Sequence, residues 1–393
     1  MAQLRIGIIG GGQLARMMVE AATPLGLRLA VLAEGPEVSA AQVVPEARVG
    51  DFTDIATVTA FAAGLDALTC DHEHVPPAVL TAVAEAGVAV RPGPQALLHA
   101  SDKAVMRRRL TEMGIPCPRW RVVADPQDLA DFGTEHGWPV IAKVSRGGYD
   151  GKGVWRLSGR AETAVPFEAL QGPQGPTEAQ RTAADPAAVI VAEEYVPFAR
   201  ELSVLVARRP GGESVAYPVT ETVQRDGICH TTISPAPGLV ADRAAEIHQM
   251  ARRIAHELDV VGILAVELME RPDGQVVVNE LAMRPHNTGH WTIEGAVTSQ
   301  FENHLRAVAD LPLGSPELRS PVVAMNNVLG GANSDLLGSL GSVLADGRVK
   351  VHLYGKGVRP GRKVGHVTVC GDLPGDVQAA AARAAAYLEN GRD

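Results

Sequence analysis

Glu267 and Glu280 lie on two apolar runs, Leu264 to Met269 and Val276 to Leu281, that flank the turn signal Pro272-Asp273-Gly274-Gln275. A tight hairpin lays these runs side by side and brings both carboxylates near one face. Carboxylates held close repel each other and lose hydration, a cost that a divalent cation removes. The pair therefore points to Mg²⁺, with Mn²⁺ as the other cation of suitable hardness, and Asn279 beside Glu280 adds a neutral oxygen. Directly afterwards comes Leu-Ala-Met-Arg284-Pro-His286-Asn287-Thr-Gly-His290-Trp291, a density of anion-binding and proton-carrying groups that a core strand does not tolerate. Lys143 on a strand-like run and Lys152 in a loop with four glycines between Gly147 and Gly153 supply cations. Taken singly, each of these charges is equally a solvated surface group. Together they are the equipment of phosphoryl transfer from ATP: cations for the phosphates, metal ligands, and a flap that excludes water. No GxxxxGK[ST] occurs, so a P-loop is not expected.

A second phosphate signal stands near the start. Gly10-Gly11-Gly12-Gln13-Leu14-Ala15 fits GxGxxA between a strand and a helix, where free amides and the helix dipole favour an anion. Glu34, at the end of the next strand, is near the place of a ribose-binding acid. Alone, this is a dinucleotide fingerprint; a glycine turn that serves only close packing is the other reading.

The elements that must position these groups are legible in outline. Leu4 to Ile9, Leu27 to Leu32, Ala67 to Thr69 and Val88 to Arg91 alternate with helical stretches, which predicts a doubly wound parallel α/β domain over about residues 1–98. Ser101 to Met113 reads as a helix with a capping Ser and a basic face. Residues 161–186 carry no clear periodicity and read as an exposed insertion. Strands are expected at Val189 to Ala192, Glu201 to Ala207 and Ser214 to Val219, and Asp242 to Leu258 is an amphipathic helix. The tail holds candidate strands at Val322 to Met325, Val351 to Tyr354 and His366 to Cys370, followed by an alanine-rich helix.

At 393 residues the chain is long enough for two or three domains. Its 36 Lys and Arg against 45 Asp and Glu give a net charge of −9, which argues against a broad nucleic-acid or membrane-surface footprint but not against small anionic ligands. Cys70, Cys117, Cys229 and Cys370 form no CxxC pair and read as reduced, mostly buried thiols. With no signal-peptide pattern and no run of about 18 apolar residues, a cytoplasmic location is the expectation.

The combination of Gly148-Tyr149-Asp150-Gly151-Lys152-Gly153, Glu193-Glu194-Tyr195-Val196, Glu201, Glu267, and Asn279-Glu280 with the Arg284-to-Trp291 run resembles the ATP-grasp superfamily. Within it the similarity is to the N5-carboxyaminoimidazole ribonucleotide synthetases of purine biosynthesis, and it extends to Tyr-Gly-Lys356-Gly-Val-Arg-Pro-Gly-Arg362-Lys363-Val-Gly-His366 near the end. The resemblance implies an ATP-grasp fold with an N-terminal doubly wound α/β domain (1–98), an ATP-grasp domain (99–320, lid about 120–196) and a small β-rich C-terminal domain (321–393). It implies an ATP-dependent ligase, commonly a homodimer, that carboxylates the amine of 5-aminoimidazole ribonucleotide with bicarbonate through carboxyphosphate.

The same resemblance implies roles for residues. Lys143 and Lys152, with Lys103, would contact ATP phosphates; Glu193 and Val196 would hydrogen-bond adenine, and Glu201 the ribose. Glu267 and Glu280 would hold Mg²⁺. Arg284, His286 and Asn287 would bind bicarbonate. The ribonucleotide would lie among Gly12, Gln13, Leu14, Glu73, Tyr149, Asp150, Lys356, Arg362 and Lys363. Three positions depart from the family pattern: Asp71 replaces the first acid of a Glu-x-Glu pair, Lys103 stands where Arg is frequent and loses its planar fork, and Gln224 stands where a His near the nucleotide is common. The alternatives are another ATP-grasp ligase, such as a formate-dependent glycinamide ribonucleotide transformylase or a biotin carboxylase, a nicotinamide-dependent oxidoreductase built on the glycine turn, and a non-catalytic nucleotide-binding protein.

Overall fold

Strands Arg5–Ile9 and Arg28–Ala33 are apolar on both faces because the sheet they build is covered on both sides. The computed structural model describes residues 3–148, 152–171, 188–225 and 227–391. The first sheet runs in the order Glu46–Val49, Arg28–Ala33, Arg5–Ile9, Ala67–Cys70, Ala89–Val90, with every pair parallel, as expected for a doubly wound layer. The exposed strand Glu46–Val49 escaped the sequence reading because it has no apolar face to mark it. On one side Ile9, Leu32 and Leu68 pack into a core that continues through Leu80 and Met106 to Leu202, Val204 and Leu264. On the other, Ile8 and Val31 meet Met17 and Met18 from helix Gln13–Leu25, together with Phe301 and Leu305 from helix Gln300–Val308, which arrives from far along the chain.

Two helices, Pro94–Ser101 and Lys103–Glu112, replace the single expected helix from Ser101. Asp102, not Ser101, caps the second: its carboxylate accepts the Ala104 and Val105 amides at 2.9 and 3.2 Å and also pairs with Arg146. The expected basic face is not wholly solvated either, since Arg107 is completely buried.

A smaller antiparallel sheet follows, in the order Trp120–Val123, Ile190–Glu194, Val140–Val144, Val154–Leu157. The stretch 161–186 is not featureless: helix Val165–Gln171 lies in it, and its Phe167 and Leu170 pack on the core of this small sheet. Residues 172–187 and the flap positions Tyr149, Asp150 and Gly151 lie outside the described residues.

The largest sheet is antiparallel and holds Val276–Ala282, Gly262–Glu270, Arg200–Arg208, Thr220–Arg225, Ile228–Ser234, Val322–Leu329, Lys363–Gly371 and Val349–Leu353 in that order, with Ser214–Ala216 beside Arg200–Arg208. The tail strands thus continue the sheet that carries Glu267 and Glu280, through pairing of Val322–Leu329 with Ile228–Ser234. Helix Pro374–Asn390 covers them with Val377, Ala381 and Leu388. Among the described residues no helix is long and apolar enough to cross a membrane.

Candidate active site

The hairpin is built as its sequence predicts. Gly274, at φ +79°, closes a turn in which the Gly274 amide donates to Arg271 O, and Glu267 pairs directly with Glu280 across the strands. The ladder then slips: Leu268 pairs with Val278, so Asn279 is an inserted residue. In a regular strand Asn279 and Glu280 would face opposite sides; the bulge lets both line one cavity. Asn279 Oδ1 accepts from Lys143 Nζ at 3.1 Å, and Glu280 Oε1 receives Lys103 Nζ at 2.5 Å. Burial alone would raise the Glu280 carboxyl, but Lys103 and Lys143 outweigh it and hold it below the usual range.

Glu267 Oε1 stands 3.2 Å from His286 Nε2, and the other ring nitrogen of His286 meets Thr288 Oγ1 at 2.9 Å. Buried Gln300 fixes this loop, accepting from the His286 amide and donating to its carbonyl. Asn287 exchanges side-chain hydrogen bonds with Asn327 at 2.9 and 2.7 Å. Arg284 Nε pairs with Glu73 Oε1 at 2.9 Å. The dense run after the hairpin therefore splits: Arg284, His286 and Asn287 reach the site, while His290 and Trp291 are completely buried beneath it. Burial holds the His290 ring neutral, well below the ordinary histidine value.

Lys143, Glu193, Glu194, Tyr195, Val196, Glu201, Gln224 and Asn279, expected at the nucleotide, line one cavity of about 400 Å³. The Glu193 carboxylate is not free for adenine, however. It takes Arg107 Nε at 2.7 Å and Lys143 Nζ at 2.9 Å, which overcome the effect of burial and hold it down to about 2. Glu201 is pushed up to about 7 by burial and then by Glu267. Lys152 and Gly153 lie outside the linings of both cavities described here.

The second cavity, of about 930 Å³, gathers Gly12, Gln13, Leu14, Glu73, Gly148, Arg284, Lys356, Arg362 and Lys363, and adds Arg359, which the sequence reading did not single out. Its floor corrects the glycine-turn reading. The Gly11 amide donates to Glu34 at 3.1 Å and the Gly12 amide to Asp71 at 2.6 Å, so the protein's own acids take the first two amides. One oxygen of Glu34 is thereby engaged by the turn. A Cβ on Gly10 would stand 1.8 Å from Asp71 Oδ1, which with φ +103° explains the glycine. Helix Gln13–Leu25 has no side-chain cap, which leaves its first turn facing the cavity. The tail loop docks here: Ser39 Oγ donates to Tyr354 O at 2.6 Å, Gln42 to Gly355 O at 2.8 Å, and Lys356 to the Gln13 side chain.

Asp71, almost fully buried, is raised to about 7 by burial and then by Glu34. A raised folded-state value means stability present at low pH and lost as pH climbs from the unfolded value near 4 through 7. Asp71→Asn keeps the Gly12 hydrogen bond but removes the charge. Its stability advantage over wild type should widen between pH 4 and pH 8 by up to about 4 kcal/mol, read by urea unfolding at each pH; a gap that is flat with pH would show that Asp71 is already ionised at low pH.

The two cavities share one wall, formed by Lys103, Glu267, Glu280, His286, Asn287 and Lys363. Among the described residues no three His, Cys, Asp or Glu side chains converge on a point. The Glu267–Glu280 pair nonetheless suits Mg²⁺, which takes one or two protein carboxylates when nucleotide phosphates and water complete its shell.

The chain is similar to known proteins over nearly its whole length. Residues 3–101 match the ribonucleotide synthetase preATP-grasp domain, 108–301 the ATP-grasp domain, and 323–380 the phosphoribosylaminoimidazole carboxylase C-terminal domain. The N5-carboxyaminoimidazole ribonucleotide synthase of Mycobacterium tuberculosis is 48% identical over 98% of this chain and 88% of its own length, and that of Corynebacterium ammoniagenes 46% over 98% and 92%. Among solved structures, the synthetase from Thermus thermophilus superposes with a TM-score of 0.84 at 37% identity, covering 96% of this chain and 97% of that one. The Aspergillus clavatus synthase in complex with ADP and 5-aminoimidazole ribonucleotide gives 0.85 at 31% identity, covering 98% of each.

Proposed function

Since the chain belongs to the N5-carboxyaminoimidazole ribonucleotide synthase family of ATP-grasp ligases, we propose the following reading of its site. The enzyme uses ATP to carboxylate the amine of 5-aminoimidazole ribonucleotide with bicarbonate in purine biosynthesis, releasing ADP and phosphate. ATP lies in the smaller cavity, with adenine at Tyr195 and Val196, ribose at Glu201, and phosphates between Lys143 and Lys103. Glu267 and Glu280 hold Mg²⁺, which when bound neutralises charge on the nucleotide phosphates. The ribonucleotide lies in the larger cavity, its phosphate on Lys356, Arg362, Lys363 and the open turn at Gln13 and Leu14.

Bicarbonate is a poor electrophile, and phosphorylation turns it into carboxyphosphate, a species that water destroys. Arg284, His286 and Asn287 hold it at the wall between the cavities, where the amine can reach it without crossing solvent. The Arg284–Glu73 pair joins the anion-binding side to the acid expected at the ribonucleotide. The observation that carries this reading is the shared wall itself: Glu267, Glu280, His286 and Asn287 face both pockets at once, and Arg284 lines the larger.

A nicotinamide enzyme is disfavoured by Glu34 and Asp71, which occupy the amides a pyrophosphate would need. A homodimer, tested by sedimentation, and a cytoplasmic location, in keeping with two phosphorylated substrates that do not cross membranes, complete the proposal. The decisive assay compares ADP release with bicarbonate plus 5-aminoimidazole ribonucleotide against formate plus glycinamide ribonucleotide. ADP should form with the first set and carbon from labelled bicarbonate should appear in an acid-labile product; stimulation by the second set alone would overturn the assignment.

A further inference from the structure

The bulge at Asn279 has a cost that Pro116 O, which accepts the Val278 amide at 2.8 Å, and one side chain meet. A bulge breaks the regular pairing of carbonyls and amides, and strand Val276–Ala282 is the last in its sheet, so no further strand supports it. Arg107, fully buried on helix Lys103–Glu112, donates from Nη1 to Val278 O at 3.0 Å and from Nη2 to Asn279 O at 2.7 Å. Its third nitrogen, Nε, binds Glu193 at 2.7 Å, and the other oxygen of Glu193 holds Lys143, which returns to Asn279 Oδ1. The guanidinium thus ties three separate elements: the helix that carries Lys103, the small sheet, and the bulged strand.

We propose that Arg107 is a positioning residue for metal–nucleotide binding: its planar fork sets the bulge that turns Asn279 and Glu280 into the same cavity, and through Glu193 it sets Lys143. Arg107 lines neither cavity; it acts through the groups it orients. A lysine there keeps the charge toward Glu193 but cannot also span two adjacent carbonyls. The inference rests on the reading of Glu267 and Glu280 as metal ligands.

The test is calorimetric titration of wild type, Arg107→Lys and Arg107→Gln with ADP, each with and without Mg²⁺, beside the Mg²⁺ dependence of turnover. In Arg107→Lys the Kd for Mg·ADP should weaken about 10- to 100-fold, the span measured when groups that orient metal ligands are removed, while metal-free ADP changes by less than about threefold. The KM for the ribonucleotide should stay near wild type. A merely structural role predicts a different pattern: fewer binding sites per chain and a lower Tm, with unchanged Kd in the folded fraction. That result in Arg107→Lys overturns the proposal. Should Arg107→Gln fail to fold, Arg107→Lys decides. A wild type whose ADP affinity ignores Mg²⁺ overturns the metal reading and this inference together, whereas a Mg²⁺-dependent wild type with variants that behave like it overturns the inference alone.

Discussion

Glu280→Gln abolishes metal-dependent turnover: ATP-driven phosphate release falls about a thousand-fold or more while the chain stays folded. Glu280 lines the wall shared by both cavities, pairs with Lys103, and sits on the bulge beside Asn279. An amide of the same size keeps the packing but supplies no negative charge, so a cation at Glu267 would lose half of its protein countercharge. Loss of the Lys103 ion pair at a water-accessible site costs only on the order of 1 kcal/mol. Circular dichroism and a thermal melt near wild type, with phosphate release gone, is the expected pair of results. Near-normal turnover at saturating Mg²⁺ would remove Glu280 from the metal site.

Lys356→Met raises the KM for the ribonucleotide roughly 10- to 100-fold, the worth of one charge-assisted hydrogen bond, and leaves that for ATP within a factor of about two. The asymmetry follows from placement: Lys356 lines the larger cavity, over the Tyr354 ring at 5.8 Å and against Gln13, and does not reach the nucleotide side. Equal weakening of both substrates would instead mean that the tail loop holds the two cavities in shape and reads neither ligand.

The hairpin that sets Glu267 opposite Glu280 was legible because a turn signal between two apolar runs fixes register locally. The bulge was not, since Val-Val-Val-Asn-Glu-Leu-Ala reads as an unbroken strand; its cause, Arg107, comes from a helix more than a hundred residues earlier in the chain. For the same reason Arg107 read as one more charge on a basic face, and the part Glu193 plays as the link between two cations gave no signal. Strands Thr220–Arg225 and Ile228–Ser234 carry mixed polar residues on a half-buried face and gave no apolar signal. Asn327 and Gln300, which hold Asn287 and His286, could have been suspected as amides inside buried segments. The glycine turn was found correctly, but which anion it holds depended on Asp71 and Glu34 arriving from neighbouring strands.

Because strand Val322–Leu329 is hydrogen-bonded to Ile228–Ser234, the last fifth of the chain is no appendage that can be trimmed to leave a minimal kinase-like core. A stop codon ahead of it would leave one edge of Ile228–Ser234 unpaired from Thr231 to Ser234, an invitation to stack with other copies into aggregates. Gene fusions, split reporters and expression fragments of this enzyme therefore belong at its two ends, not at the seam that sequence-based domain borders suggest.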